Sequence, residues 1–94
     1  MVLEPGATIW LPCEVKPGPF TNERLARIDL PSGTWVGFVT VDHLREPIEA
    51  GHTAVLAMVT EVEGDHFRAT IPGHGLASNA VYGDIDKVVA GGTV

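Results

Sequence analysis

Glycine and proline interrupt this chain at short intervals, and that punctuation is the feature that most limits its fold. Eleven glycines and seven prolines are spread over 94 residues, so no amphipathic pattern lasts long enough to predict a helix of several turns. Between the interruptions, apolar side chains alternate with polar ones. In residues 7–15, Ile9, Leu11, Cys13 and Val15 fall on one face. Alternation with a period of two is typical of strands with one buried face, and the pattern predicts an all-β chain.

Six segments carry the strand pattern: residues 7–15, 23–30, 34–41, 54–62, 66–71 and 80–89. The start of the second also fits a single helical turn. Pro12 has no N–H to give to a ladder, so the first segment is predicted to lie at an edge or to bulge. The fourth is apolar on both faces, which predicts a central strand covered on both sides. Gly64 sits in a Glu-Gly-Asp turn before the fifth segment and predicts a hairpin.

The connections between these segments are predicted to be loops. They include residues 16–22 and residues 72–79, where Gly73 and Gly75 are expected to supply unusual φ values. In the third strand, Gly37 predicts a bend or the close approach of another backbone. At most one helical turn is expected, near Asp42 or Leu76.

The number and spacing of the strands predict a small antiparallel barrel of five to seven short strands. The length of the chain predicts one domain over residues 1–94, with a disordered tail at residues 90–94. The stretch Gly33–Glu46, GTWVGFVTVDHLRE, resembles the late hairpin, tight turn and closing strand of Src-homology-3-like barrels. The resemblance implies that fold, with Leu44 as an aliphatic plug after the turn. A five-stranded barrel of the oligonucleotide-binding type is the alternative.

Charge and cysteine content narrow the classes of partner. The formal net charge is −6 and no two of the six basic residues are adjacent, so a nucleic-acid partner is not expected, because phosphate binding needs clustered cations. The single cysteine, Cys13, excludes an intrachain disulfide and is interpreted as a buried, inert thiol. We find no signal-peptide pattern and no run of apolar residues long enough to cross a bilayer. A cytoplasmic protein without a membrane partner is expected.

Few residues point to catalysis. An Asp–His pair such as Asp42 and His43 can hold the imidazole in one tautomer for base catalysis or metal ligation. Neighbours on a strand point to opposite faces, however, and we interpret the pair as a solvated turn capped by Asp42. His74, between two glycines and near Ser78, lacks the context of a nucleophile elbow. Asp42 and His43 remain weak catalytic or metal candidates, and no catalytic residue, metal site or cofactor is predicted.

Aromatic residues are the better candidates for binding. Trp10 falls opposite the inward set of its strand, and Phe20 and Tyr82 occupy loop or outward positions. Exposed aromatic side chains bury a large area at a small entropic cost, so they mark recognition surfaces. Trp35 is added to this surface, and whether it shares a face with Trp10 decides whether the barrel displays an aromatic patch.

Three functional hypotheses follow from these observations. The preferred one is a non-enzymatic binding or assembly module that self-associates or binds a protein partner through Trp10, Phe20, Trp35 and Tyr82. The second is a barrel that binds a small ligand or a peptide between the loops at residues 16–22 and 72–79, with His74 in contact. The least favoured is a hydrolase based on Asp42, His43 and His74.

Overall fold

A computed structural model describes residues 3–31, 33–75 and 78–85 of the chain. The regular structure of these residues is mostly strand, with a short 3-10 turn after the third strand. The elements in chain order are β1 (Thr8–Pro17), β2 (Glu23–Leu30), β3 (Gly33–Thr40), the 3-10 turn (Val41–His43), β4 (Gly51–Glu63), β5 (His66–Thr70), β6 (Gly73–Gly75) and β7 (Ala80–Asp84).

The strands form one antiparallel sheet that bends into a nearly closed barrel. Their order is β6-β3-β2-β1-β4-β5-β7. Short strands, hairpin connections and the absence of a long helical pattern predicted this fold class, and the prediction of a small all-β antiparallel barrel is confirmed. In the described part of the chain, no helix is long and apolar enough to cross a membrane.

The barrel interior is filled by the inward set of each strand. In β1, every second residue from Ile9 to Val15 is buried. In β5, Phe67 and Ala69 are buried, as is Ile71 directly after the strand, and both sets agree with the predicted alternation. Phe67 is the largest fully buried side chain. Leu44 follows the 3-10 turn and is buried in the same apolar cluster. Large and small apolar residues alternate among the inward positions and form one continuous core.

The position of β1 differs from the expectation of an edge strand. It pairs with β4 from Thr8 to Val15, and with β2 from Glu14 to Pro17. The prediction of an edge is therefore wrong. Pro12 nevertheless lies in the half of β1 that β2 does not reach, which is where a residue without an N–H is tolerated.

β4 also differs from the prediction, because it is covered on one face only. Its inward residues, such as Val55 and Val59, are buried, whereas Met58 is 55 % exposed and Leu56 is half-buried on the opposite face. The hairpin after β4 is confirmed: Gly64 has a φ of 60° in the turn that leads to β5. An apolar run shows that a strand is central, but the core of a barrel covers only its inner face.

The segment after β5 contains a strand that the sequence pattern missed. β6 pairs with β3, and Gly75 lies opposite Gly37, so Gly37 does meet the close approach of another backbone. Gly73 and Gly75 do not have positive φ, and the expectation of unusual φ values there is wrong. A Cβ at Gly73 would collide with the carbonyl oxygen of Phe38, and one at Gly75 with that of Ser78. Close backbone packing therefore requires these two glycines.

The last strand is shorter than the 80–89 segment of the sequence pattern. β7 ends at Asp84, and the N–H of Ile85 donates to the carbonyl oxygen of Asp65. The rest of that segment and the tail at residues 90–94 lie outside the described residues, as does Leu76. The single helical turn expected near Asp42 is present as Val41–His43.

Candidate functional site

The outward face of β1 and β4 carries a contiguous row of apolar side chains. Trp10 lies opposite Leu56 in the β1–β4 ladder, and Met58 is opposite Thr8, one position further along the same face. Pro12 is exposed on the other side of Trp10, while Trp10 and Leu56 are half-buried. We call Trp10, Pro12, Leu56 and Met58 the β1–β4 outer patch. It is an apolar surface in the middle of the sheet and not at its rim.

Charged residues of both signs border one end of this patch. Glu14 faces His52 across the ladder, with 3.7 Å between the imidazole Nε2 and the carboxylate, and Arg27 lies opposite Glu14 on β2. A shallow groove of about 280 Å³ opens among Pro12 and these three residues, where β1 and β2 separate. Acid and base therefore lie side by side next to an apolar surface.

Trp35 does not belong to that surface. Inward positions on β3 are Trp35, Gly37 and Val39, and only 7 % of Trp35 is exposed. Its indole Nε1–H donates a hydrogen bond of 2.6 Å to the carbonyl oxygen of Ser78. Trp10 and Trp35 lie on opposite faces of the sheet, so the barrel does not display the two side chains as one aromatic patch.

Phe20 and Tyr82 are exposed at two further places. Phe20 is 67 % exposed in the loop after β1, beyond the end of the strand that is remote from Trp10. Tyr82 on β7 is 38 % exposed, its ring stacks on the imidazole of His66 with centroids 5.7 Å apart, and the guanidinium carbon of Arg68 is 6.0 Å from its centroid. The aromatic candidates occupy separate positions and do not form one surface.

A cleft of about 550 Å³ lies where the barrel fails to close, between the β2–β3 hairpin and β7. We call it the seam cleft. Its walls include Leu30, Trp35, Val36, Arg68, Ala80 and Tyr82. Ser78 contributes from the loop at residues 72–79, but no residue of the loop at 16–22 lines it. The cleft is therefore not the predicted pocket between those two loops, because β7 and the β2–β3 hairpin form its sides.

The Asp42–His43 turn has a structural role. Nδ1 of His43 lies 3.1 Å from the hydroxyl of Thr40 and 3.1 Å from the carbonyl oxygen of Pro72, so the imidazole ties the turn to the segment before β6. The residue at the N-cap is Thr40, and Asp42 lies within the first turn, so Asp42 does not cap it as expected. His74 pairs through its backbone with Phe38, and its side chain is outside the described part of the structure.

Cys13 carries the single thiol of the sequence. It is buried and free, as predicted, and burial raises the pKa of its thiol to about 12. A thiol with such a pKa stays protonated and unreactive near neutral pH. Within residues 3–31, 33–75 and 78–85, no three His, Cys, Asp or Glu side chains come together as a metal site would require.

Comparison of the chain with protein-family models, with curated proteins and with solved structures finds no significant match. The fold itself creates two candidate surfaces, the β1–β4 outer patch and the seam cleft.

Proposed function

We propose that this protein is a non-enzymatic assembly module that self-associates through the β1–β4 outer patch. The observation that carries the proposal is the contiguous apolar row on the solvent side of the two central strands. Met58 is 55 % exposed and stands beside Trp10 and Leu56. A single exposed apolar side chain is ordinary, whereas a contiguous apolar patch marks an interaction surface.

A second copy of the chain fits this surface. Two sheets pack face to face when side chains of their facing sides interdigitate at about 10 Å. A two-fold interface also places one patch against the same patch of its partner. Glu14, Arg27 and His52 supply acid and base together at the border of the patch, so the border can pair with itself across such an axis.

The net charge makes the proposal testable with salt. Each copy carries −6, and two copies repel each other through solvent. Screening shortens that repulsion to a Debye length of about 10 Å at 0.1 M salt. Apolar contact is not weakened by screening, so self-association through the patch should become tighter as the salt concentration rises.

Phe20, Tyr82, Trp35 and His74 contribute less in this proposal than the sequence pattern assigned to them. Phe20 offers a single exposed ring and Trp35 is buried. The Src-homology-3-like architecture is also part of the proposal: buried Leu44 directly after a tight turn supports it, and the oligonucleotide-binding type is the alternative. The single cysteine supports a reducing, cytoplasmic location.

Sedimentation velocity over a range of protein concentrations tests self-association, with a matched pair of charge substitutions. Met58→Glu places a carboxylate in the centre of the patch and should shift the protein to monomer. Phe20→Glu adds the same charge at a residue of similar exposure, 67 % against 55 %, and should leave the association constant unchanged. Burying an unpaired carboxylate costs several kcal/mol, so the two variants should differ by more than tenfold in dissociation constant.

Three results would count against the proposal. The wild-type chain could sediment as a monomer at every concentration. Phe20→Glu could dissociate the assembly as strongly as Met58→Glu, which would move the interface to the loop after β1. Association could weaken with added salt, which would show that charge pairs and not apolar contact hold the copies together.

A further inference from the structure

The seam cleft differs from the outer patch in its geometry. Three consecutive residues of β3, Thr34 to Val36, and three of β7, Ala80 to Tyr82, line it. Successive side chains of a strand point to opposite faces of the sheet. A cleft lined by consecutive residues on both sides therefore lies between two strand edges and reaches down toward the core, where Trp35 and Val81 are buried.

No backbone hydrogen bond between residues 33–36 and residues 80–84 is present in the structure. The indole of Trp35 is the group that bridges from β3 to the chain just before β7, through the carbonyl oxygen of Ser78. At the other end, Leu30 approaches β7: a Cβ at Gly83 would lie 3.4 Å from its Cδ2. Side chains at both ends keep the strands apart and leave the space between them open.

The walls of the cleft are largely apolar, and Thr34, Ser78, Tyr82 and Arg68 add polar groups. Leu30, Trp35 and Val36 form one side, and Arg68 is the charged residue among the described residues that line it. The guanidinium group of Arg68 is 3.9 Å from the carboxylate of Glu61, and both side chains are more than half exposed. Such a long, solvated ion pair is worth little, so a guanidinium group is available at the mouth of an apolar space.

We propose that the seam cleft binds a small amphiphilic anion, with its apolar body against Leu30, Trp35 and Val36 and its carboxylate on Arg68. The volume of about 550 Å³ falls within the range of about 300–1,000 Å³ that is typical of ligand pockets. The guanidinium group matches a carboxylate in both charge and hydrogen-bond geometry. This ligand site shares no residue with the outer patch, so it goes beyond the proposed assembly function.

Nuclear magnetic resonance of the two indole N–H groups tests the proposal on the wild-type protein, with octanoate as the probe. The signal of Trp35, assigned by comparison with Trp10→Phe, should shift saturably on titration, because this side chain forms a wall of the cleft. The signal of Trp10 is the internal control and should not move at the same concentrations. Octanamide, the neutral analogue, should bind about fivefold more weakly, since it lacks the charge that Arg68 attracts.

Two pairs of variants separate the cleft from nonspecific binding. Arg68→Gln should weaken octanoate binding about fivefold and leave octanamide binding unchanged. Arg45→Gln removes a positive charge from an exposed side chain that lies outside both the cleft and the outer patch, and should have no effect. Ala80→Phe fills the exposed rim and should abolish the Trp35 shift, whereas Ala50→Phe adds the same ring at an exposed turn and should not.

The outcomes decide the proposal in either direction. A Trp35 signal that does not move with octanoate overturns the site, and equal effects of Arg68→Gln and Arg45→Gln overturn the role assigned to Arg68. Equal binding of octanoate and octanamide would show that the carboxylate adds nothing to the affinity, and would refute the preference for an anion. Met58 lies outside the cleft, so Met58→Glu should abolish self-association and leave octanoate binding unchanged. Failure of one proposal can therefore be distinguished from failure of the other.

Discussion

The two tryptophans make a controlled comparison, because one lines the core at the seam and the other lies on the outer surface. Trp35 is 7 % exposed and donates its indole N–H to the carbonyl oxygen of Ser78 at 2.6 Å. Trp10 is half-buried on the opposite face. Substituting each with phenylalanine keeps an aromatic ring while removing the indole nitrogen and the second ring.

The expected cost of Trp35→Phe has two parts. The lost hydrogen bond contributes about 1 kcal/mol net. Phenylalanine buries roughly 40 Å² less apolar surface than tryptophan, and this difference lowers the stability by about another 1 kcal/mol. The free energy of unfolding should therefore fall by about 2 kcal/mol, and the melting temperature by roughly 10 °C for a domain of this size. Trp10→Phe should cost no more than about 0.5 kcal/mol, since a half-buried surface residue has little to lose.

Urea denaturation followed by circular dichroism measures both variants, at a protein concentration low enough to suppress self-association. The slope of free energy against urea should be unchanged in both, so that the midpoint alone reports the stability. If Trp35→Phe loses no more stability than Trp10→Phe, then Trp35 does not hold the seam, and the inward orientation of this side chain in β3 is refuted.

Three further predictions concern the buried positions Gly83 and Cys13. Gly83→Ala should destabilise the fold by about 1–3 kcal/mol through overpacking, because the new Cβ would lie 3.1 Å from the Phe67 ring; an unchanged urea midpoint would contradict this contact. Cys13 should react with thiol reagents near neutral pH only when the protein unfolds, as the reaction rate in added urea would show. The pKa of its thiol rises from 9.0 to about 12 on folding, so above pH 9 the unfolded chain loses a proton that the folded chain keeps. Stability should therefore decline as pH rises from 9 toward 12, and Cys13→Ala should remove that part of the decline.

Local patterns were sufficient for the fold class but not for strand partners. Alternation in β1 and β5 correctly assigned the inward residues, and Gly64 correctly marked the β4–β5 hairpin. The edge position predicted from Pro12 was wrong because the pairing of β1 changes along its length. Around Pro12, β1 pairs with β4 but not with β2. A proline indicates only that its own residue donates no hydrogen bond to a neighbouring strand. It does not distinguish a strand that is at the edge along its whole length from one that is unpaired on one side for half of it.

The candidate surfaces were only partly visible in the sequence. Trp10 was placed correctly by alternation, and the same rule applied to β3 groups Trp35 with Val39 on the inner face. The sequence did not identify Leu56 and Met58 as surface residues. The pattern of a strand that is apolar on both faces is the same whether its second face is covered by the protein or exposed to solvent. Leu30 and Arg68 come together only through barrel closure, which brings distant strands to one seam, and no local spacing encodes that.

The pairing of β1 with β4 sets the order in which the barrel can fold. Thr8 pairs with Met58 and Val15 with Gly51, so this ladder joins segments that are tens of residues apart, whereas β2–β3 and β4–β5 are local hairpins. Closing a long loop costs entropy before any contact repays it. The hairpins should therefore form early and β1 should dock late. Until it does, the edge of β4 that pairs with β1 is open, and an open strand edge can pair with another chain.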